Sequence, residues 1–458
     1  MTSAPAELVR LDPSPPMARR LAAAVLAAVG AAVVAGYVAT EVSTKGAHQA
    51  GKPVAAVLGL ALVVLAVVRF EAFVLALLVV RPSMDALGGQ TGALNPASVL
   101  GVLFIAAALL WLARRWQLGE WVRPGAGTRT LYAFTIAAGA SVLVSVDRHA
   151  SVVALGRVLS GVLMFGVLEQ LLAGRPDRLR RLLGCGVLGS VAPLAVGFYQ
   201  LAHPGSSGYA AGDLSRVHGT FVHPNTFATY LVMLLLAALA VASRVGWRGA
   251  LLALLYCAPV GALLISTYAR GAFLGLLLGV AYVLWRRQPF LVLLGVALAV
   301  GVVLAVPSIN HRFADLHGGT ALTKNTVDPN SLDFRLHYWP RVVRLAAGNH
   351  VSGIGLETVV QISPERLQPH NVWVQAYAET GVIGAVALAG VAVGMTVTLT
   401  RRRRRARTPL AAGVATGAIG IGLSLLSQSL SENILTETVI YWAAASLMAW
   451  GYTDRAPR

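Results

Sequence analysis

The stretch "RVHGTFVHPNTFATYLV", from Arg216 to Val232, places an arginine, two histidines and an asparagine directly before an apolar run. Arginine suits phosphate because its planar guanidinium group donates two parallel hydrogen bonds and keeps its positive charge. Histidine suits proton transfer because its ordinary pKa, about 6.5, is close to neutral pH. We therefore take Arg216 as a candidate anion ligand, with His223 and Asn225 as supporting residues of the same site.

A second stretch, "STYARGAFLGLLLG", sets Arg270 at the junction of two apolar segments, with only two or three residues to turn. An arginine at a membrane interface can also extend its head group to water, so an interface anchor is the alternative for Arg270. Together with Arg216 and the later arginines Arg335, Arg341 and Arg344, it would form a basic cavity. Such a cavity should bind an anion.

The third stretch, "PHNVWVQAYAETGVIGAV", begins with His370 and Asn371 just before another apolar segment. His370 is a candidate for proton transfer, because its ordinary pKa, about 6.5, suits that chemistry at neutral pH; the alternative is an ordinary histidine at the membrane interface. Gln375 and Glu379 follow Asn371 at four and eight positions, and Glu379 joins Asn371 as a supporting residue. The alternative for Asn371 is a plain helix N-cap.

The composition indicates a polytopic membrane protein. Of the 458 residues, 56% are hydrophobic and only 12% are charged, and the mean hydropathy is +0.69, which does not fit a water-soluble chain of this length. The formal charge of +18 comes from short arginine clusters between apolar runs, so nucleic acid is not expected as a partner. Cys185 and Cys257 both lie in apolar segments and predict neither a disulfide nor a zinc site.

The apolar segments predict an all-α fold with about 12 to 14 transmembrane helices, since each crossing takes about 20 apolar residues. The first, from residue 21, is expected to be a retained helix rather than a signal peptide. The predicted segments are 21–40, 53–68, 71–81, 97–113, 130–146, 151–173, 180–202, 224–243, 249–268, 270–286, 289–307, 372–399, 409–427 and 434–451. The second and third are short and could form one segment or a re-entrant pair.

The basic residues predict the orientation. Clusters such as Arg114–Arg115, Arg175–Arg181 and the "RRRRRAR" run at 401–407 fall on one side when fourteen helices are threaded, and such clusters stay in the cytoplasm. The run could instead bind anionic lipid. The three polar stretches then lie outside, with a long external loop at 308–370 that should carry short amphipathic helices on the membrane surface. Arg157, inside an apolar segment, either joins the basic cavity or caps the carbonyls of a neighbouring helix.

Taken together, these stretches resemble the O-antigen ligase and polysaccharide polymerase superfamily of membrane glycosyltransferases. "RVHGTFVHPNTFATYL" is similar to the arginine and Pro-Asn helix start of that family, "STYARGAFLG" to its Ser-Arg-Gly turn, and "PHNVWVQAYAETGVIG" to its His-Asn helix. "HVSGIGLETV" is similar to the Gly-x-Gly element that precedes the histidine. Tyr268 and Ala269 before Arg270, and the histidines at 218 and 223, depart from the pattern.

The resemblance implies transfer of a glycan from an undecaprenyl diphosphate carrier to an acceptor hydroxyl, without metal or other cofactor. Arg216 and Arg270 would hold the diphosphate, with Arg335 as a less regular third ligand, and His370 would activate the acceptor. The active site would face outward from the plasma (inner) membrane, with membrane lipids around it. The acceptor would be a glycan or lipid-linked molecule, with a flippase and a chain-length regulator as possible partners.

This reading divides the chain into four parts. Residues 1–20 form a cytoplasmic tail, 21–202 the first transmembrane helices, 203–400 an O-antigen ligase-like core that includes the external loop, and 401–458 a basic loop with the last helices. Ligase and polymerase share these motifs and are not separated by them. The alternatives are a polysaccharide or lipid-linked oligosaccharide transporter, for which related halves are expected, and a transferase that uses polyprenyl monophosphate sugars. The latter should carry an acidic pair in its first external loop, where this chain offers only Glu41.

Overall fold

The computed structural model describes residues 51–449, with gaps at 88–95, 176, 212–213, 245, 286–287, most of 291–331, and 435–436. The described residues divide into two compact units, with the division between Val74 and Leu75. The described helices, in chain order, are α1 (Gly51–Val68), α2 (Phe70–Val80), α3 (Pro96–Gln117), α4 (Ala126–Leu143), α5 (Arg148–Leu172), α6 (Asp177–Ala202), α7 (Pro224–Ala242), α8 (Trp247–Ser266), α9 (Arg270–Leu284), α10 (Leu332–Leu345), α11 (Val359–Ile362), α12 (Val372–Arg405), α13 (Pro409–Gln428) and α14 (Thr438–Ala449). A 3₁₀ helix spans Arg81–Leu87, and two antiparallel strands, β1 (Ala210–Ala211) and β2 (Leu214–Ser215), precede α7.

The predicted all-α membrane fold is confirmed. Seven described helices, α3, α5, α6, α7, α8, α12 and α13, are long and apolar enough to cross a bilayer, and α9 and α14 are shorter apolar helices. Twelve of the fourteen predicted segments coincide with described helices. The segment at 21–40 lies outside the described residues and the one at 289–307 lies largely outside them. The described helices therefore establish a polytopic protein, whereas the count of 12 to 14 stays a prediction.

Small residues let α13 pack against two neighbours at short range. A Cβ added to Gly417 would lie 2.7 Å from the Cβ of Ala240 on α7, and one added to Gly420 would lie 3.2 Å from the carbonyl of Gly279 on α9. In lipid, helices associate through such close backbone approach rather than through the hydrophobic effect. The contacts fix α7, α9 and α13 as one packed group, and each of these helices has one end at the polar loops described next.

One end of the helix bundle collects the polar loops. Val146 donates to the carbonyl of Ile354 (3.1 Å), Val217 to that of Ser266 (3.1 Å), and Val372 to that of Ser429 (2.8 Å). These bonds join the α4–α5 turn, the segment before α7, the α8–α9 turn and the start of α12. We call this the polar-loop end.

The opposite end carries arginines and is called the arginine end. Here the start of α4 meets the last turns of α5 and α12, through bonds from Gly127 to Thr398 Oγ1 (3.0 Å) and from Gly125 to Glu169 Oε1 (2.8 Å). Arg402 pairs with Glu169 at 3.4 Å. The "RRRRRAR" run is therefore partly built into the protein, because Arg402 is buried whereas Arg401, Arg404 and Arg405 are exposed.

The loop before α12 inserts into a break in that helix. Gly381 has a φ of 68° and is non-helical, so the helical hydrogen bonds around it are not made within α12. Instead, Ile354 and Gly355 donate to the carbonyls of Ala378 and Glu379 at 3.0 and 2.9 Å. The predicted Gly-x-Gly element is thus the segment that fills the break.

Short helices in the long loop are confirmed for its described part, which begins at residue 332. The apolar face of α10 packs on protein: Tyr338 and Val342 form a core with Ile354, Val359 and Ala378. The apolar face of α10 is therefore covered by protein, and the position of these helices at the membrane surface stays a prediction. Residues 308–331 of the loop lie outside the described part.

Because Gly355 lies in the segment that fills the break in α12, we expect its substitution to lower the stability of the protein. Its φ of +102° is a region that only glycine adopts readily, and a Cβ there would collide with the hydroxyl of Ser145. We expect Gly355→Ala to cost on the order of 1–3 kcal/mol from the backbone alone and to lower the apparent unfolding temperature in detergent by several degrees. Gly348→Ala is the control, because nothing lies within 4 Å of its added Cβ. Equal melting of both variants would contradict the proposed role of Gly355.

Candidate functional site

Four stretches of the chain bring polar side chains together at the polar-loop end. They are residues 216–225 before and at the start of α7, residues 267–271 between α8 and α9, residues 370–371 before α12, and residues 429–433 after α13. Arg335 on α10 joins them. We call this group the arginine–histidine cluster.

Arg216 is held in place by two side-chain hydrogen bonds. Its side chain is only 7% exposed, its Nε donates to the carbonyl of Thr267 at 2.8 Å, and its Nη2 donates to Asn225 Oδ1 at 2.6 Å. Thr267 is the C-cap of α8, and carbonyls at a helix C-terminus lack helical partners and carry partial negative charge. The guanidinium thus joins the segment before α7 to the turn that leads into Arg270.

Asn225 connects Arg216 to a carboxylate on the other side. Its Oδ1 accepts from Arg216 and its Nδ2 donates to Glu432 Oε1 at 2.8 Å. His223 caps α7, since its Nδ1 accepts from the backbone N–H of Asn225 at 3.1 Å. Both predicted supporting residues therefore lie in the cluster.

Arg270 opens α9 beside the same carboxylate. The turn from α8 takes three residues, Thr267 to Ala269, as predicted. The next residue, Gly271, faces the α13–α14 connection so closely that an added Cβ would lie 2.5 Å from Ser431 Oγ and 3.9 Å from Glu432 Oε1. The first turn of α9 and the carboxylate of Glu432 are therefore neighbours.

His370 occupies a left-handed backbone conformation with a φ of 47°, which is uncommon outside glycine and asparagine. The residues around it are fixed: the Trp339 indole donates to the carbonyl of Pro369 at 2.8 Å, and Val372 donates to Ser429. Its Nδ1 lies 3.4 Å from Asn433 Nδ2. The held backbone presents the imidazole to the connection between α13 and α14.

Asn371 is a helix cap. Its Oδ1 accepts from the backbone N–H groups of Trp373 (3.0 Å) and Val374 (3.2 Å) at the start of α12. The structure therefore supports the plain N-cap interpretation of this residue. By fixing where α12 begins, the cap also fixes the position of His370 one residue earlier.

Arg335 reaches the cluster from α10. Its Nη1 donates to the carbonyl of Ser431 at 2.9 Å. Arg341 and Arg344, which the sequence places in the same basic region, lie on the exposed side of α10, where Arg341 pairs with Glu365 at 2.5 Å. Of the three loop arginines, Arg335 is the one that the structure brings to the cluster.

The surroundings of the two histidines keep them neutral. Burial, together with the positive charge of Arg335 and the neighbouring His223, lowers the pKa of His370 to about 4. Burial, Arg216 and His218 lower the pKa of His223 to about 4. At neutral pH both imidazoles are therefore uncharged and can accept a proton or a hydrogen bond.

Glu379 does not join this cluster. It lies two helical turns into α12, fully buried, where its carboxylate accepts from Gln375 Nε2 (3.2 Å) and from the backbone of Val359 (3.5 Å). It lies beside the inserted loop instead.

Arg157 pairs with Glu357 of that loop at 4.0 Å. The two alternatives for it, a place in the basic cavity and a cap on neighbouring carbonyls, stay predictions.

An apolar groove begins beside the cluster. Its cavity of about 180 Å³ is lined at one end by Val372, Trp373 and Ile434, next to His370 and Asn433, and it continues along α12 to Leu399. Since Thr398 lies at the arginine end, the groove runs most of the length of the bundle. A long, narrow apolar chain fits such a shape.

Sequence reasoning missed the connection between α13 and α14. Ser431, Glu432 and Asn433 touch or face every other part of the cluster. The signal was present, because "SEN" is a polar tripeptide between two apolar segments and the predicted threading puts it on the outer side. So short a polar stretch between two apolar segments is also typical of an ordinary turn.

These features define a polytopic membrane protein with a basic, partly buried site at one end of its helices. Residues 258–389 match the family model for O-antigen ligase. The match covers Arg270, Arg335, His370 and Glu379, and it confirms the predicted relation to the O-antigen ligase superfamily over this part of the chain. It supports a role as a membrane glycan ligase or polymerase. No curated protein matches the chain.

The electrostatics predict how the acid limb of activity moves. Wild-type activity that needs neutral His370 should persist down to about pH 4 and fall below it, because the imidazole is protonated there. Arg335→Gln removes a positive charge that disfavours the imidazolium, so the pKa of His370 should rise toward 6.5 and the limb of kcat/KM should move to higher pH. Arg344→Gln, on the exposed side of the same helix, should leave the limb in place. If the acid limb of kcat/KM stays unchanged in both variants, His370 is not the group whose protonation sets that limb.

Proposed function

We propose that the chain transfers a glycan from a polyprenyl diphosphate carrier to an acceptor hydroxyl at the arginine–histidine cluster. The observation that carries this proposal is the bond from Arg216 to Thr267, three residues before Arg270, in a cluster that also contains Arg335 and His370. A site with three arginines and a neutral histidine suits an anionic leaving group and a proton acceptor.

The arginines would bind the diphosphate. As the glycosidic bond breaks, negative charge grows on the diphosphate, and guanidinium groups already in place stabilise that charge without having to reorganise. Arg216 is held by a carbonyl and an amide and is therefore preorganised in this sense. The arginines supply the charge that a metal ion provides in other transferases, so no metal is required in this mechanism.

His370 would act as the general base. The acceptor oxygen attacks the anomeric carbon, the bond between that carbon and the phosphate oxygen breaks, and the diphosphate leaves with the electron pair while the hydroxyl proton passes to the imidazole. Turning the Asn433 amide pairs its oxygen, which otherwise has no hydrogen-bond partner, with the Nδ1–H of His370. The Nε2 lone pair is then left for the acceptor proton. In this role Asn433 is a positioning residue.

The apolar groove would hold the polyprenyl chain. It starts at Val372 and Trp373, directly after His370 and Asn371, so the diphosphate can sit at the cluster while the chain extends along α12. This arrangement favours a lipid-linked donor over a soluble nucleotide sugar.

The arginine end would face the cytoplasm and the cluster would face outward from the plasma membrane, because basic clusters resist translocation. The acceptor would then be a glycan or a lipid-linked molecule on the outer surface, as in a surface-polysaccharide ligase or polymerase. A separate flippase would have to supply the donor on that side, and a chain-length regulator would act on the product.

Purified protein with an undecaprenyl diphosphate-linked glycan and an acceptor glycan tests the function directly. His370→Ala should lower kcat by about 10²–10⁴, and Arg216→Lys should lower kcat/KM by about 10–100-fold, because lysine keeps the charge but loses the planar fork. The controls are His149→Ala and Arg148→Lys, exposed residues at the start of α5. Donor translocation without a new glycosidic bond would instead favour the transporter, and full activity in Arg216→Lys would remove the phosphate clamp.

The groove gives a separate prediction. Ala392 lines it, whereas Val393 on the same helix is 64% exposed and lies outside it. Ala392→Trp should raise the KM for the polyprenyl donor by about tenfold, since displacing about two methylenes from the groove loses about 0.8 kcal/mol for each. Binding of inorganic pyrophosphate should not change, and Val393→Trp should behave as wild type. A normal donor KM in Ala392→Trp would place the chain elsewhere.

A further inference from the structure

Glu432 lies outside the matched family region and yet sits among the basic groups of the cluster. Its Oε1 accepts from Asn225 Nδ2 at 2.8 Å, and the same asparagine binds Arg216. The positive charges of Arg335 and Arg216 act on its carboxylate. The added-Cβ position of Gly271, next to Arg270, lies 3.9 Å from its Oε1.

We propose that Glu432 is a resident counter-anion that matches the charge of the site to the intact donor and promotes release of the more highly charged product. The inference rests on the proposed function. Among the described residues, Arg216, Arg270 and Arg335 with Glu432 leave a net charge of about two positive when both histidines are neutral, as their lowered pKa values make them at neutral pH.

The chemistry of the reaction explains why such a match matters. A diphosphate esterified at both ends, as in the glycan-linked carrier, has two ionised oxygens. After transfer the carrier keeps a terminal phosphate with a further ionisable oxygen, so its charge approaches three negative at neutral pH. A site with three arginines and no acid would therefore hold the product more tightly than the donor, and turnover would be limited by release.

The surroundings of the carboxylate fit this role. Burial raises the pKa of Glu432 overall, and Arg335, the Asn225 hydrogen bond and Arg216 offset part of that rise by favouring the anion. Among the described residues, the groups that act on it are Arg216 and Asn225, before and on α7, and Arg335 on α10, while the first turn of α9 lies beside it at Gly271. Asn433, the next residue, contacts His370. Replacing Glu432 thus changes the charge of the phosphate site without removing a phosphate ligand.

Glu432→Gln tests the proposal, because glutamine keeps an oxygen that can accept from Asn225 but loses the charge. Calorimetry on the full-length protein in detergent would use inorganic pyrophosphate and inorganic phosphate as probes. We expect Glu432→Gln to bind pyrophosphate about tenfold more tightly than wild type, with a smaller gain for phosphate. Glu432→Asp should bind like wild type. Polyprenyl diphosphate should also inhibit the Gln variant more strongly relative to its donor KM.

Glu437→Gln is the matched control, since that carboxylate lies at the start of α14 and the charges acting on it come from Asp85, Arg81, Arg157 and Glu357 rather than from the cluster. It should leave pyrophosphate binding unchanged. A second comparison is used if Glu432→Gln alone is too unstable to measure. The double variant Arg335→Gln/Glu432→Gln should bind pyrophosphate more tightly than Arg335→Gln alone. A purely structural role for Glu432 would not produce that gain.

Two results would overturn the inference in different ways. If wild type binds pyrophosphate and Glu432→Gln, with an unchanged unfolding temperature, binds it equally or more weakly, the counter-anion role is wrong and the proposed function stands. If wild type binds no pyrophosphate, the diphosphate site itself is wrong and the role of Glu432 falls with it.

Discussion

A guanidinium group buried at the end of an apolar helix bundle must have its donors satisfied, and the way Arg216 meets this requirement organises the site. The partner that it uses is the carbonyl of Thr267, which is available because α8 ends there. One bond therefore completes a helix terminus and binds an arginine. Thr267 lies three residues before Arg270, the first residue of α9. The bond therefore also brings Arg216 close to the start of that helix. The α7, α8 and α9 ends cannot be separated without leaving a buried charge unpaired.

The position of His370 depends on the break in α12. In an unbroken helix Val382 and Ile383 would donate to residues 378 and 379, but here they donate to the carbonyls of His350 and Val351 at 2.8 and 3.5 Å. The loop also satisfies the other side of the break, because its own N–H groups donate to the carbonyls of α12 that lack a helical partner. Exchanging helical bonds for loop bonds keeps the backbone satisfied within an apolar bundle. It also anchors the long loop on the helix that His370 precedes.

Hydropathy was sufficient for the helices because each crossing needs a long apolar run, and α7, α8, α13 and most others follow the predicted bounds closely. The two-helix hairpin between Arg216 and Arg270 also followed from the sequence, since an even number of crossings returns the chain to the same side. The site was harder to predict. Hydrogen bonds between distant segments, such as that of Asn225 with Glu432, leave no periodic trace, and the shifted pKa of His370 depends on burial and charges that only the fold assembles. The position of Glu379 away from the cluster was not predictable for the same reason, because one of its two partners, Val359, is 20 positions away in the chain.

The role proposed for Glu432 would extend the functional unit beyond the matched region, to the connection between α13 and α14. Like charges brought together in a partly buried site repel one another, and each also loses hydration. A carboxylate and an amide between the arginines offset both costs, so the site can hold its guanidinium groups close together before any substrate arrives. The carboxylate comes from the last helical connection and the amide from the start of α7, whereas Arg270 and Arg335 lie in the matched region at 258–389. The role proposed for Glu432 would therefore join the hairpin of α13 and α14 to the predicted core at 203–400 as one functional unit.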